Sequence, residues 1–144
     1  MTPDTARFAP TAHLQMLGKI SHAVSLLPDL DLGKYGDKKI VISCHMLARA
    51  IGAVFGLKVV DGNYVRSFAH SWLVSDDRRW VFDVYPVGVT TGPTLVDATF
   101  CLAPGQLLYK EGRKFCKAIP FSSPAFRRSV RRVTKELQRI VRDS

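Results

Sequence analysis

The chain has 144 residues, 47% of them hydrophobic and 23% charged, which suits one globular domain with a buried core and leaves little room for a second. Its net charge is +9, but residues 113–144 carry ten Lys or Arg against Glu136 and Asp143, so the basicity belongs to the C-terminal segment. No apolar run approaches the ~20 residues that cross a bilayer, and Met1–Arg7 lacks a signal-peptide pattern, so a cytoplasmic protein is expected, with leaderless export left open.

In chain order, Ala12–Leu27 reads as a helix with Leu14, Leu17, Val24 and Leu27 among its apolar positions, ended by Pro28 and the polar stretch to Gly33. Lys34–Lys39 is a polar connection into the short apolar run Ile40-Val41-Ile42. Ser43 is the N-cap expected for a second helix that begins at Cys44 and runs to about Phe55, with Gly56 as a left-handed C-cap. Met46, Leu47, Ala50, Ile51 and Val54 recur at helical spacing and should face the core.

Strand signals follow. Leu57–Val60 is a short β-branched run closed by the turn-rich Asp61-Gly62-Asn63. Tyr64–Val74 and Arg79–Tyr85 are longer extended runs, joined by Ser75-Asp76-Asp77-Arg78 as a tight connection. Beyond the loop-like Thr90–Pro93, Thr94–Leu102 reads as another strand, interrupted by Pro104-Gly105 before Gln106–Lys110. The last element, Ser123–Arg142, sets Phe126, Val130, Val133, Leu137, Ile140 and Val141 on one stripe. Arg127, Arg128, Arg131, Arg132, Lys135, Arg139 and Arg142 crowd its other face. The predicted class is α+β: N-terminal helices, one starting at Cys44, packed on an antiparallel sheet, with a basic amphipathic C-terminal helix, all in one domain over residues 1–144.

Three residues carry the chemistry. Cys44 heads a helix, His70 lies on one extended run and Asp83 on the next, at intervals of 26 and 13 residues. A thiol attacks as thiolate, and both a helix N-terminus and a neighbouring imidazolium lower its pKa. His70 would supply the imidazolium and later act as general acid, while Asp83 would fix its tautomer. If Ser75–Arg78 is a four-residue turn, Val74 pairs with Arg79 and Asp83 falls directly opposite His70, ~5 Å away on the same face.

These residues, with the His70-Ser71-Trp72 and Trp80-Val81-Phe82-Asp83 strands, resemble the transglutaminase-like branch of the papain-like cysteine enzymes over about Ile42–Pro86. That family places a cysteine at a helix start, then a His-x-Trp strand, then a strand bearing Asp after an aromatic. The resemblance implies Cys44 as nucleophile, His70 as base, Asp83 as orienting residue, and a peptidase, deamidase or transglutaminase acting on a protein or peptide substrate without metal or organic cofactor. The chain departs from it where Val84-Tyr85 separates Asp83 from Pro86, and in lacking a glutamine ahead of the cysteine.

The remaining candidates are weighed singly. His45 adjoins Cys44, but adjacent helix residues point apart, which favours a structural or surface role. Trp72 shares a strand face with His70 and either walls the site or packs the core. Asp76 and Asp77 read as solvated turn residues. Cys101 and Cys116 read as small core residues, and no Cys-x-x-Cys or zinc pattern occurs. The basic face, with Arg127, Arg128, Arg131 and Arg132 as candidate contacts, fits a solvated surface, nucleic acid, an anionic membrane or an acidic protein, and no base-reading motif decides among them. Against the enzyme stands a non-catalytic binding module of the same fold that works through this helix.

Overall fold

Pro10 stands in extended backbone, and helix α1 (Thr11–Ser25) starts directly after it. The computed structural model describes residues 9–64, 68–84, 92–98, 102–103, 106–107, 109–112 and 119–144. α1 buries Ile20 and Ala23 and leaves Leu14 exposed. It ends before the predicted Leu27, because Pro28 disfavours helical backbone in the residue preceding it. The expected open connection is a small hairpin, β1 (Lys34–Tyr35) against β2 (Lys38–Lys39), turning through Gly36 at φ 65°.

Helix α2 (Cys44–Phe55) has the predicted boundaries. Ser43 accepts a hydrogen bond from the Met46 amide at 3.3 Å, and Gly56 closes the helix at φ 72°. Strands β3 (Lys58–Tyr64), β4 (Phe68–Val74), β5 (Trp80–Asp83) and β6 (Thr94–Asp97) follow, then the separate pair β7 (Leu102–Ala103) and β8 (Gln106–Leu107), and finally β9 (Tyr109–Glu111). The main sheet runs β6-β5-β4-β3-β9 with every neighbour antiparallel. α2 lies on β3 and β4 so closely that a Cβ at Gly52 would meet the side chains of Val59 on β3 and Leu73 on β4 at 3.0 Å.

Asp61-Gly62-Asn63 is not a turn; it continues β3, pairing with Ser71-His70-Ala69 of β4. Asp61 is buried and bonded to Ser71 and Arg49, so its polarity is satisfied inside. Gly62 is there for close approach, since a Cβ would lie 2.1 Å from the Lys110 carbonyl on β9.

The β4–β5 hairpin also differs from expectation. Val74 pairs with Val81, and the Ser75 amide bonds the Trp80 carbonyl at 3.0 Å, so Arg79 is not in the ladder. The loop is residues 76–79, with Arg78 left-handed at φ 61°. Ser75 is drawn into the ladder because its hydroxyl accepts from the Trp80 amide at 3.1 Å and donates to Asp77. The register therefore moves by two positions and Asp83 is not opposite His70. A two-residue shift preserves the strand face, so the pair still meets along the diagonal.

Helix α3 (Pro124–Asp143) is capped by Ser123, which accepts from the Phe126 amide at 3.2 Å. It buries Phe126, Ser129, Val133, Leu137 and Ile140 and packs chiefly on α2, whereas Val141 is exposed. The principal core lies between helices and sheet, and a second cluster of Val60, Trp72, Val74 and Val81 occupies the other sheet face. The architecture is α+β, with Cys44 opening α2. Among the described residues no helix is long and apolar enough to cross a membrane. Tyr85, Pro86, Cys101, Cys116 and the first half of the Thr90–Pro93 loop lie outside the described residues.

Candidate active site

Cys44 occupies the first position of α2, where backbone amides have no partners within the helix and the dipole favours negative charge. Its side chain is partly exposed. Burial by itself would raise the thiol, but hydrogen bonding with His45 and His70 and the charges of both rings outweigh it, bringing the pKa down to about 6.

His70 is fully buried. Its Nε2 lies 2.9 and 3.0 Å from the two carboxylate oxygens of Asp83, which is also fully buried. Its Nδ1 is the only buried side-chain nitrogen or oxygen among the described residues without a hydrogen-bond partner. Nε2 is committed to Asp83, so Nδ1 is the ring nitrogen left for the neighbouring thiol. Burial opposes the charged ring, yet hydrogen bonding to Asp83 and Cys44 and their charges raise His70 to about 9. Near neutral pH the two shifts together give a thiolate beside an imidazolium.

The surroundings hold this pair in place. The described β4–β5 pairs are Leu73 with Phe82 and Val74 with Val81, and His70 and Asp83 project from the strands just beyond them. Tyr109 of β9 donates from Oη to Asp83 Oδ2 at 2.7 Å. Trp72 stacks on His70 with ring centroids 6.1 Å apart and meets Tyr109 edge-on at 5.2 Å. At 3% exposure Trp72 backs the imidazole and offers little surface to a substrate.

His45 is not at the surface. It is buried, and its Nδ1 lies 2.7 Å from Ser71 Oγ. Two consecutive helix residues thus engage two consecutive strand residues: Cys44 meets His70, and His45 meets Ser71. Adjacent helix side chains do diverge, but here they diverge around β4 instead of sending one into solvent. Ser71 continues to Asp61, and Asp61 to Arg49 at 2.9 Å.

Arg127, Arg128, Arg131 and Arg132 all lie exposed on α3. Arg132 pairs with Glu136, whereas no ion pair engages Arg127, Arg128, Arg131 or Lys135 among the described residues. Asp76 and Asp77 are exposed in the hairpin loop as expected. No metal-binding group of three or more His, Cys, Asp or Glu occurs among the described residues. Sequence reading missed Tyr109, Asp61, Ser71 and Arg49. Only Asp61, an acidic residue within a β-branched stretch, carried a local signal. Comparison of the chain with protein-family models, curated proteins and solved structures gives no match.

Proposed function

We propose that the chain is a cysteine-nucleophile enzyme that acts on amide bonds through a thioester. The observation that carries this reading is the buried His70–Asp83 pair whose uncommitted ring nitrogen neighbours a thiol at a helix N-terminus. The Cys44 thiolate attacks the carbonyl carbon, and the π electrons move to the oxygen. Amides of the first turn of α2, that of Cys44 first, are the natural donors to this oxyanion. The tetrahedral intermediate collapses, the C–N bond breaks, and imidazolium His70 protonates the departing amine. Water, deprotonated by His70, then attacks the thioester and releases a carboxylic acid and the thiolate. Hydrolysis, as in a peptidase or glutamine deamidase, is favoured over transfer to a second amine. Asp83 keeps the proton on Nε2, and Tyr109 keeps Asp83 in place.

Substrate reaches the sulfur from its exposed side. A cavity of about 310 Å³ opens beside the first turn of α2, lined by Lys38, Lys39, Ile40, Val41, Ser43 and Met46 among others. The test is to trap protein targets on Cys44 as thioesters and to search for substrates changed by hydrolysis or by deamidation, a gain of ~1 Da. Loss of trapping in Cys44→Ala is the expected control. Retention of every product in that variant rejects the reading.

The exposed cations Arg127, Arg128, Arg131 and Lys135 favour a second reading, a binding module for an anionic partner. It requires Cys44→Ala to retain biological activity and charge reversal at Arg127, Arg128, Arg131 and Arg132 to abolish it.

A further inference from the structure

The β1–β2 hairpin, Lys34-Tyr35-Gly36-Asp37-Lys38-Lys39, carries three lysines against one carboxylate. Lys34 pairs directly with Lys39, so two ammonium groups share one face of a hairpin only two pairs long. Like charges placed opposite each other destabilise a ladder, and a two-stranded hairpin has little stability of its own. All three lysines are exposed, and no hydrogen bond or ion pair engages their side chains among the described residues. Folding alone therefore gives no reason for this charge pattern.

The hairpin borders the cavity of about 310 Å³ beside the first turn of α2. Tyr35 and Lys38 are cross-strand partners, so their side chains share a face, and both line the cavity. Its apolar lining includes Ile40, Met46 and Ile119, all buried, while Val41 is 70% exposed. The hairpin is fixed to this wall, because the Ile40 amide donates to the Gly33 carbonyl at 2.9 Å. From Ile40 the chain passes through Ser43, extended at φ −98° and ψ 166°, directly into Cys44. Four residues of extended chain span at most about 14 Å, so an occupant of the cavity lies within a short peptide's reach of the sulfur.

We propose that the cavity and the β1–β2 hairpin form a substrate subsite for an acidic side chain, with Lys38 and Lys39 holding the carboxylate and the apolar lining taking its methylenes. This rests on the reading of Cys44 as a nucleophile. It narrows the substrate class to peptide segments with Glu or Asp within about four residues of the amide attacked. Asp37 lines the cavity as well, and the two lysines beside it outweigh its charge. The basic face of α3 is a different surface, since none of its cations lines this cavity.

The test uses four-residue peptides bearing a chloroacetyl group at the N-terminus or a chloromethyl ketone at the C-terminus, with Glu, Gln or Lys at each position in turn. The Cys44 sulfur displaces chloride and forms a thioether. Its second-order rate in the full chain is read by peptide mass spectrometry at about 150 mM salt, which screens long-range attraction. At one or two positions the Glu peptide should label Cys44 about 3- to 5-fold faster than its Gln analogue, the scale of one or two exposed ion pairs. The Lys peptide should label more slowly than the Gln analogue there. Lys38→Glu with Lys39→Glu should reverse the order. Lys38→Gln with Lys39→Gln should abolish it, and decides the matter should the reversal fail to fold, as judged by its thermal transition. Arg127→Glu with Arg128→Glu changes the net charge as much as the lysine reversal and should leave the preference in place. Equal rates for the three peptides at every position, or a preference lost equally in the Arg127 and Arg128 reversal, overturn the subsite. Iodoacetamide needs no subsite, so a Cys44 midpoint of about 6 in that case leaves the nucleophile intact. A wild-type midpoint near 9.0 overturns the nucleophile and this inference together.

Discussion

Replacing Asp83 by Asn tests the electrostatics of the site with little change in shape. The amide oxygen can still accept from Tyr109, but the charge that holds a proton on buried His70 is gone. Burial then disfavours the imidazolium, and the thiol loses its counter-charge. With its pKa at about 6, Cys44 is ~90% thiolate at pH 7, whereas at 9.0 it would be ~1%. The less basic thiolate is also a weaker nucleophile, by roughly 20-fold over that span at the usual Brønsted slope. The net wild-type advantage at pH 7 is then only about 5-fold, but at pH 5 the thiolate ratio is ~900 and the advantage about 40-fold. The informative assay is therefore the full pH–rate profile of Cys44 alkylation, not a single rate at neutrality. In Asp83→Asn the midpoint should rise by at least ~1 unit. The rate at pH 5 should fall by at least ~3-fold, rising to more than ~10-fold if the midpoint moves by two units, and that at pH 9 should not fall. A folded Asp83→Asn protein whose midpoint stays near 6 refutes the reasoning.

The same pair shapes stability against pH. His70, raised from 6.5 to about 9, contributes stability that is full below 6.5 and lost as pH rises through about 9, while Cys44, lowered from 9.0 to about 6, contributes stability present above 9.0 and lost as pH falls through about 6. Between 6.5 and 9 these slopes cancel, so Cys44→Ser should lose stability relative to wild type as pH rises above 6.5; parallel urea midpoints for the two proteins would contradict this. Gly62→Ala pushes a Cβ to 2.1 Å from the Lys110 carbonyl and 2.9 Å from Glu111 Cα, both unable to swing aside. It should destabilise by at least roughly 1–3 kcal/mol in urea melts and loosen Tyr109 from Asp83. Ser43→Ala removes the N-cap of α2 and should lower stability by about 1 kcal/mol. Reversing Arg127, Arg128 and Arg131 should leave the thermal transition within a few degrees, since all three are exposed, while abolishing retention on an anionic resin at moderate salt.

Local chemistry made α2 and α3 readable in the sequence. Ser43 and Gly56 set the ends of α2 through contacts spanning only a few residues, and the apolar stripe from Phe126 to Val141 marked α3. The face shared by His70 and Asp83 was also legible, because a two-residue register shift leaves side-chain parity unchanged. The register itself was not, because it depended on whether the Ser75 hydroxyl joined the ladder or the loop. Asp61-Gly62-Asn63 misled for a related reason. A glycine chosen so that β9 can approach closely reads as one chosen to turn the chain. Tyr109 and the Ser71–Asp61–Arg49 chain arise from tertiary contacts that leave no periodic signature. The rule that neighbouring helix residues point apart was sound for Cys44 and His45, but it does not reveal that each finds its own partner on β4, His70 and Ser71.

The pH titration of Cys44 in the wild-type protein tests the central claim most directly. Iodoacetamide labelling at fixed times across pH 4–10, quantified for each of the three cysteine peptides, separates Cys44 from Cys101 and Cys116 in one experiment. The account predicts that Cys44 labels with a midpoint of about 6, well below the ordinary thiol value of 9.0. A Cys44 midpoint at or above 9.0 in the folded protein contradicts it.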